Sequence, residues 1–209
     1  MTEKAAADIN AYILLDRSGS MATHWAETIG SLNAYVEGLA GEKATKKALV
    51  TVAAFDSADP FTVMRSSMRA DEWKAIAASE IAPRASTPLY DAIGRLVDTI
   101  RTANPSKAAI VIITDGQEND SREIKKEAAK AMLDEMRAKG FDVVFLGADF
   151  DAFGQGASLG NAAGQTLNMA AGNYDAAMKG LSMRTANYAS TGKVEQFSDD
   201  LRQRAAGGK

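Results

Sequence analysis

Cysteine is absent from this 209-residue chain, and histidine occurs once, at His24. Without cysteine there are no disulfides, no thiolate metal sites, no cysteine nucleophile and no iron–sulfur cluster. A single histidine cannot build a His-rich zinc site or an HExxH protease. Basic charge is also short. The chain has 24 Lys and Arg against 27 Asp and Glu, a net charge of −3, so counterion release gives no grip on a duplex and nucleic acid is not an expected partner. No apolar run approaches the roughly 18 residues that a membrane span needs. The opening MTEKAAADIN is polar and acidic rather than signal-like, which makes the cytoplasm the expected compartment. No P-loop pattern offers a phosphate cradle, and nothing marks a triad partner for His24. Any chemistry therefore runs on carboxylates, hydroxyls and amides.

What is present is the balance of a globular protein. Hydrophobic residues are 46% and charged residues 24% of the chain, which excludes disorder throughout. The length fits one domain with some decoration. Ala11 to Leu15 is a short continuous apolar run, the mark of a strand buried on both faces. Leu49 to Phe55, Ala108 to Ile113 and Val143 to Leu146 read the same way, and Thr166 to Met169 as a last short strand. Asp59-Pro60 marks a turn into a strand beginning at Phe61 to Met64, close enough to pair antiparallel.

Between the strands the apolar period changes to that of a helix. Ile29, Leu32, Tyr35, Val36 and Leu39 define one helix from Trp25. Leu89, Ile93, Leu96, Val97 and Ile100 define another, with Thr87 as expected cap and Pro88 at the first position. Asp120 and Glu123 resemble a capping box for a helix ending near Gly140. Asp71 to Ala78 is an expected short helix, and Ala176 to Tyr188 an expected final one. Alternation of this kind specifies a Rossmann-like three-layer α/β/α sandwich, with a mostly parallel central sheet and one antiparallel edge strand. The stretch 191–209 is polar and is expected to be a tail.

Open parallel sheets bind ligands beyond the carboxyl ends of their strands. Three polar loops are expected on that edge: Asp16-Arg17-Ser18-Gly19-Ser20 after the first strand, Arg84-Ala85-Ser86-Thr87 before a helix, and Thr114-Asp115-Gly116-Gln117-Glu118-Asn119 after the central strand. Their oxygen inventory is two carboxylates, Asp16 and Asp115, and three hydroxyls, Ser18, Ser20 and Thr87. Hard oxygen donors without nitrogen or sulfur suit Mg²⁺, Mn²⁺ or Ca²⁺. With only two formal charges around it, such an ion stays electrophilic and open to an outside carboxylate.

The pattern Asp16-x-Ser18-x-Ser20, then Thr87, then Asp115, resembles the metal-ion-dependent adhesion site of the von Willebrand factor A domain family. Ser86 to Ile93, Ile112 to Asn119, and Val144 to Ala148 followed by Asp151-Ala152 are similar to small stand-alone bacterial and phage members. The resemblance covers roughly residues 8 to 190, the expected domain. It implies that Ser18 and Ser20 bind a divalent ion directly. It implies that Thr87, Asp16 and Asp115 bind directly or through water, and that a partner protein's Glu or Asp completes the site. Self-association is compatible with this reading, and an enzyme is not implied.

Plainer readings exist for each loop. Asp-Arg-Ser-Gly-Ser is also turn chemistry, Thr87 is also a helix cap, and Asp115-Gly116 also ends a strand. A structural or assembly protein, phage-borne for instance, would use the metal site only to brace loops. Asp16 also resembles the nucleophile of haloacid-dehalogenase-type phosphatases, with Asp115 and Asp120 a weak match to their acidic pair. There the general acid stands two residues on, where this chain has Ser18. Met21, His24 and Trp25 are expected to pack at the helix start, the other reading being a rim that contacts a partner around the ion. Arg17 is expected at the solvated rim, as are Glu118, Asn119 and Asp56.

Overall fold

The computed structural model describes residues 9–148 and 152–208. Asp151, part of the resemblance above, lies outside them. In chain order the elements are β1 (Ile9–Asp16), α1 (Trp25–Gly41), β2 (Leu49–Phe55), β3 (Thr62–Arg69), α2 (Leu89–Ala103), β4 (Lys107–Thr114), α3 (Lys126–Ala138), β5 (Asp142–Ala148), α4 (Ala152–Ser158), β6 (Thr166–Met169), α5 (Tyr174–Thr191) and α6 (Asp199–Ala205). Short 3₁₀ turns occupy Gly19–Thr23, Ala70–Glu72 and Ala163–Gln165.

The six strands run in the order β3-β2-β1-β4-β5-β6. All pairs are parallel except β2–β3, which is antiparallel at the edge. This is the Rossmann-like sandwich that the alternation specifies. Side chains alternate across the sheet with period two, so each central strand feeds two cores. Ile9, Ala11, Ile13 and Leu15 of β1 join α1 and α5 on one face. Tyr12 and Leu14 join α2 and α3 on the other. That double burial is why β1 and β4 are unbroken apolar runs. From β1 the chain builds outward to β2 and β3 on one side, and later to β4, β5 and β6 on the other. The strand order therefore reverses between β1 and β4, and a crevice opens beyond their carboxyl ends.

Three local expectations give way. The segment 71–78 forms only a single 3₁₀ turn. Its backbone is claimed by side chains from elsewhere. Asn33 donates to the Ile76 carbonyl at 2.9 Å and accepts from the Ile76 amide at 2.9 Å. The Arg65 guanidinium takes the carbonyls of Lys74 and Ala75. These bonds satisfy the groups a helix would have paired.

The helix expected from Asp120 begins at Lys126 instead, with no capping side chain. Asp91, on the first turn of α2, holds the preceding loop. Its carboxylate accepts from the amides of Arg122, Glu123 and Ile124 at 2.8, 3.1 and 2.7 Å. A remote carboxylate thus replaces the local capping box.

The polar stretch after Thr191 carries α6 rather than hanging free. Phe197 and Ala205 are buried, and the Ala170 amide donates to the Ala205 carbonyl at 2.9 Å. Phe197 also lies 4.4 Å beneath the Arg184 guanidinium, which forks onto Asp142 at 2.9 and 2.6 Å. Both members of that ion pair are buried.

Candidate metal centre

β1 ends at Asp16, and β4 ends at Thr114, its neighbour across the sheet. The Thr114 hydroxyl donates to Asp16 Oδ2 at 2.5 Å, and the Ser18 amide donates to Oδ1 at 2.7 Å. The carboxylate is fully buried. Burial pushes its pKa up to about 6, against the lowering effect of the Thr114 and Ser18 hydrogen bonds, with the nearby negative charge of Asp115 adding to the rise. A buried anion held by two donors and facing a second acid is an arrangement that a cation would relieve.

The loop after Asp16 curls through Gly19 into a 3₁₀ turn, which brings two hydroxyls to one point. Ser18 Oγ and Ser20 Oγ are 3.1 Å apart. Ser20 Oγ donates to Asp115 Oδ1 at 2.7 Å, so the β1 and β4 loops meet through a side-chain bond. Ser18 is buried while Ser20 is exposed, as expected of a site with one open side.

Thr87 comes from the third loop and is 2% exposed. It is not the cap of α2. Pro88 occupies that position without a side-chain cap, and the Tyr90 amide is taken by Glu118 and Ser121. The Thr87 hydroxyl is therefore free of the helix and turns to the other loops. A methyl group added at Gly116 would stand 3.4 Å from Thr87 Oγ1 and 3.7 Å from Ser20 Oγ. Gly116 thus faces the space between these hydroxyls, and its missing side chain keeps that space open.

Backbone bonds lock the three loops together. Gly19 donates to the Ala85 carbonyl at 3.0 Å, and Arg84 to the Arg17 carbonyl at 2.8 Å. Asn119 donates to the Thr87 carbonyl at 3.2 Å, and its side chain accepts from the Thr87 amide at 2.9 Å. The structure thus brings Asp16, Ser18, Ser20, Thr87 and Asp115 into one cluster.

The rim differs from expectation. Arg17 is buried, because its Nε pairs with the buried Asp56 at 2.8 Å and its Nη2 reaches Thr62 at 3.2 Å. Asp56 in turn accepts from the amides of Ala58 and Asp59 and pairs with Arg84. Glu118 is committed to the amides of Asp120 and Ser121, the Ser121 hydroxyl and the Tyr90 amide. Asp56, Asn119 and Glu118 therefore brace loops. Asp120 pairs with Arg122 instead of joining Asp16. Met21 and Trp25 are buried, and the Trp25 indole donates to the carbonyls of Ala78 and Ile81, which is the packing role expected of them. His24 lies against Tyr174, with 6.1 Å between ring centroids.

Sequence reasoning missed Thr114 and the active part played by Gly116. A hydroxyl as the last residue of the central strand, directly before Asp115, was the available signal.

Among the described residues, no three His, Cys, Asp or Glu side chains gather as a metal site. A cation here would meet two carboxylates and three hydroxyls. That donor set, with the Gly116 opening between hydroxyls, fits a hard divalent ion.

The family model described as von Willebrand factor type A domain matches residues 10–197. The chain belongs to that family. The family is known for metal-dependent protein interaction and adhesion. Solved structures agree on the fold. The manganese-loaded TRAP protein of Plasmodium vivax is 16% identical, with a TM-score of 0.60 over 82% of this chain and 72% of that one. The von Willebrand domain of the type V pilus tip protein Mfa5 from Porphyromonas gingivalis is 10% identical, with a TM-score of 0.67 over 93% and 98% of the two chains. A von Willebrand factor type A protein from Catenulispora acidiphila is 15% identical, with a TM-score of 0.61 over 88% of this chain and 43% of that one. The search of curated proteins finds no match. Among the described residues no helix is long and apolar enough to cross a membrane.

Proposed function

We propose that this von Willebrand factor type A domain is a divalent-metal-dependent protein-binding module and not an enzyme. Asp16, Ser18, Ser20, Thr87 and Asp115 hold the ion, Mg²⁺ first and Mn²⁺ or Ca²⁺ as substitutes. The observation that carries this reading is the cluster itself. Three loops from separate parts of the chain deliver three hydroxyls and two acids to the crevice between β1 and β4.

The residues divide the work. Ser18, Ser20 and Thr87 supply neutral oxygens. Asp16 and Asp115 balance charge and orient the serines, one through the Ser18 amide and the other through the Ser20 hydroxyl. When bound, the ion supplies an electrophilic position that takes a carboxylate oxygen from a partner's Glu or Asp. The exposed side at Ser20 leaves room for that approach. A second copy of the chain qualifies as such a partner. A phosphatase reading lacks its parts, since Ser18 stands where an acid is needed and Asp120 faces Arg122.

A bracing role is the second reading. It is favoured by the bonds that already join the loops, Ser20 to Asp115 and Thr114 to Asp16. Two measurements separate them. The melting midpoint in millimolar Mg²⁺ should exceed that in EDTA, and Asp16→Ala should remove the difference. Peptides selected from a random displayed library on the full chain should bind in Mg²⁺, fail in EDTA, carry an acid and be lost in Thr87→Ala. A metal-dependent midpoint together with metal-independent peptide binding would favour bracing.

A further inference from the structure

Among the described residues, every arginine but one commits an Nη group to another side chain. Arg65 forks onto Glu80 in this way, and Arg184 onto Asp142. The exception is Arg84. Its side chain is 53% exposed and is held at one corner, where Nε donates to Asp56 Oδ2 at 2.8 Å. Neither of its Nη groups makes a hydrogen bond within the described residues. The two-pronged end of the guanidinium is therefore unspent.

That end stands beside the metal centre. Asp56, which anchors it, directly follows Phe55, and Phe55 is the register partner of Asp16 across the sheet. Arg84 also lies three residues before Thr87, and its amide donates to the Arg17 carbonyl at 2.8 Å. Between Arg84 and Ser86, Ala85 takes a left-handed φ of 60°, a costly conformation for any residue but glycine. The Gly19 amide on the Ala85 carbonyl and the reciprocal bonds between Ser57 and Ser86 hold it there. This turn lets Arg84 reach Asp56 while Thr87 meets the other metal loops. Ala58 and Ala85, beside the guanidinium in the two loops, are exposed and end at Cβ.

The charges around it leave Arg84 as the outward cation of this rim. Arg17 and Asp56 are buried and neutralise each other. Asp59 is 48% exposed, but its oxygens accept from the Phe61 amide and the Thr62 hydroxyl, and it faces Arg17 at 3.9 Å. A bound divalent ion balances Asp16 and Asp115.

We infer that Arg84 is a second anchor for the partner, its Nη pair taking an acidic side chain that stands near the acid completing the metal site. A guanidinium offers two parallel donors to the two oxygens of a carboxylate, a match that a lysine lacks. The partner is thus an acidic segment that brings two carboxylates to this edge of the sheet, one for the ion and one for Arg84. This rests on the metal-dependent reading above and names its partner class more closely.

The test is the same displayed random peptide library, selected on the full-length chain in Mg²⁺. Enriched peptides should carry two acids at a preferred spacing. Changing the second acid to its amide in a selected peptide should weaken binding to the wild type about fivefold, the upper end for an ion pair that stays half exposed. In Arg84→Gln the acid peptide and its amide version should bind alike, which closes a double-mutant cycle. Arg84→Lys, a point charge without the fork, should keep only part of the gap. Asp56 retains Arg17 and two amides in both variants, so melting curves should show them folded. An equal fivefold gap in wild type and Arg84→Gln overturns the assignment of Arg84, as does enrichment of peptides with a single acid. Either result leaves the metal reading standing. Selected peptides that bind equally in EDTA, or that lack an acid, overturn the metal reading and the Arg84 anchor with it.

Discussion

Replacing Asp16 by Asn should stabilise the metal-free protein and abolish its response to Mg²⁺. Burial lifts the Asp16 pKa from 3.8 to about 6. Each pKa unit is worth about 1.4 kcal/mol, so ionised Asp16 costs the fold about 3 kcal/mol at pH 8. The folded state holds its proton more tightly than the unfolded state. This group's penalty is thus absent below pH 4, grows as pH rises to about 6, and is complete above that. Asn removes the charge and keeps the contacts. Its oxygen still accepts from the Ser18 amide, and its NH₂ can donate to Thr114 Oγ1, whose own proton turns to the Gly116 carbonyl at 3.2 Å.

For a chain of this length, about 3 kcal/mol is a rise of roughly 6 to 12 °C in melting midpoint. In EDTA at pH 8, Asp16→Asn should melt higher than wild type by that order, and at pH 4 the two should coincide. In Mg²⁺ at one hundred times its dissociation constant, the wild type should gain about 2.7 kcal/mol and the variant nothing. A variant less stable than wild type in EDTA at pH 8 would refute the reasoning. It would mean that the buried carboxylate is a net stabiliser without any cation.

Other expectations follow from named contacts. Gly116→Ala should fold with a midpoint in EDTA within a few degrees of wild type, since the new methyl meets Thr87 and Ser20 at ordinary contact distance. It should lose the Mg²⁺ shift, because the methyl fills the opening between the hydroxyls; a retained shift would place the ion elsewhere. Arg184→Ala should cost about 3 to 5 kcal/mol in denaturant unfolding, because Asp142 is left charged and buried. Asp91→Ala should cost roughly 2 to 3 kcal/mol in the same assay, since three loop amides lose their acceptor, and Asp91→Asn should cost less.

The fold was legible because its signal is one-dimensional. The continuous apolar runs of β1 and β4 state double burial, and the period change between strands states the helices. The three site loops were legible because each sits at a strand end or helix start that such patterns locate. What escaped notice depends on partners distant in sequence. Segment 71–78 has helix-compatible residues, yet Asn33 and Arg65 occupy its backbone. Asp120 and Glu123 form a local capping pattern, but Asp91 makes the stronger offer across the α2–α3 gap. Arg17 looked solvated because arginine mostly is, and no pattern showed that Asp56 waits beneath it. Arg184 and Asp142 lie 42 positions apart, so nothing local announces their pairing.

The central claim is that five oxygen-bearing residues form a site for one divalent ion. The direct test is Mn²⁺ titrated into the metal-free full-length chain, with free Mn²⁺ read by electron paramagnetic resonance. The account predicts one ion bound per chain and displaced by excess Mg²⁺. It predicts binding at least about tenfold weaker in Ser18→Ala and in Thr87→Ala. Equal Mn²⁺ binding by the wild type and both variants, or no binding by the wild type at millimolar Mn²⁺, would contradict it.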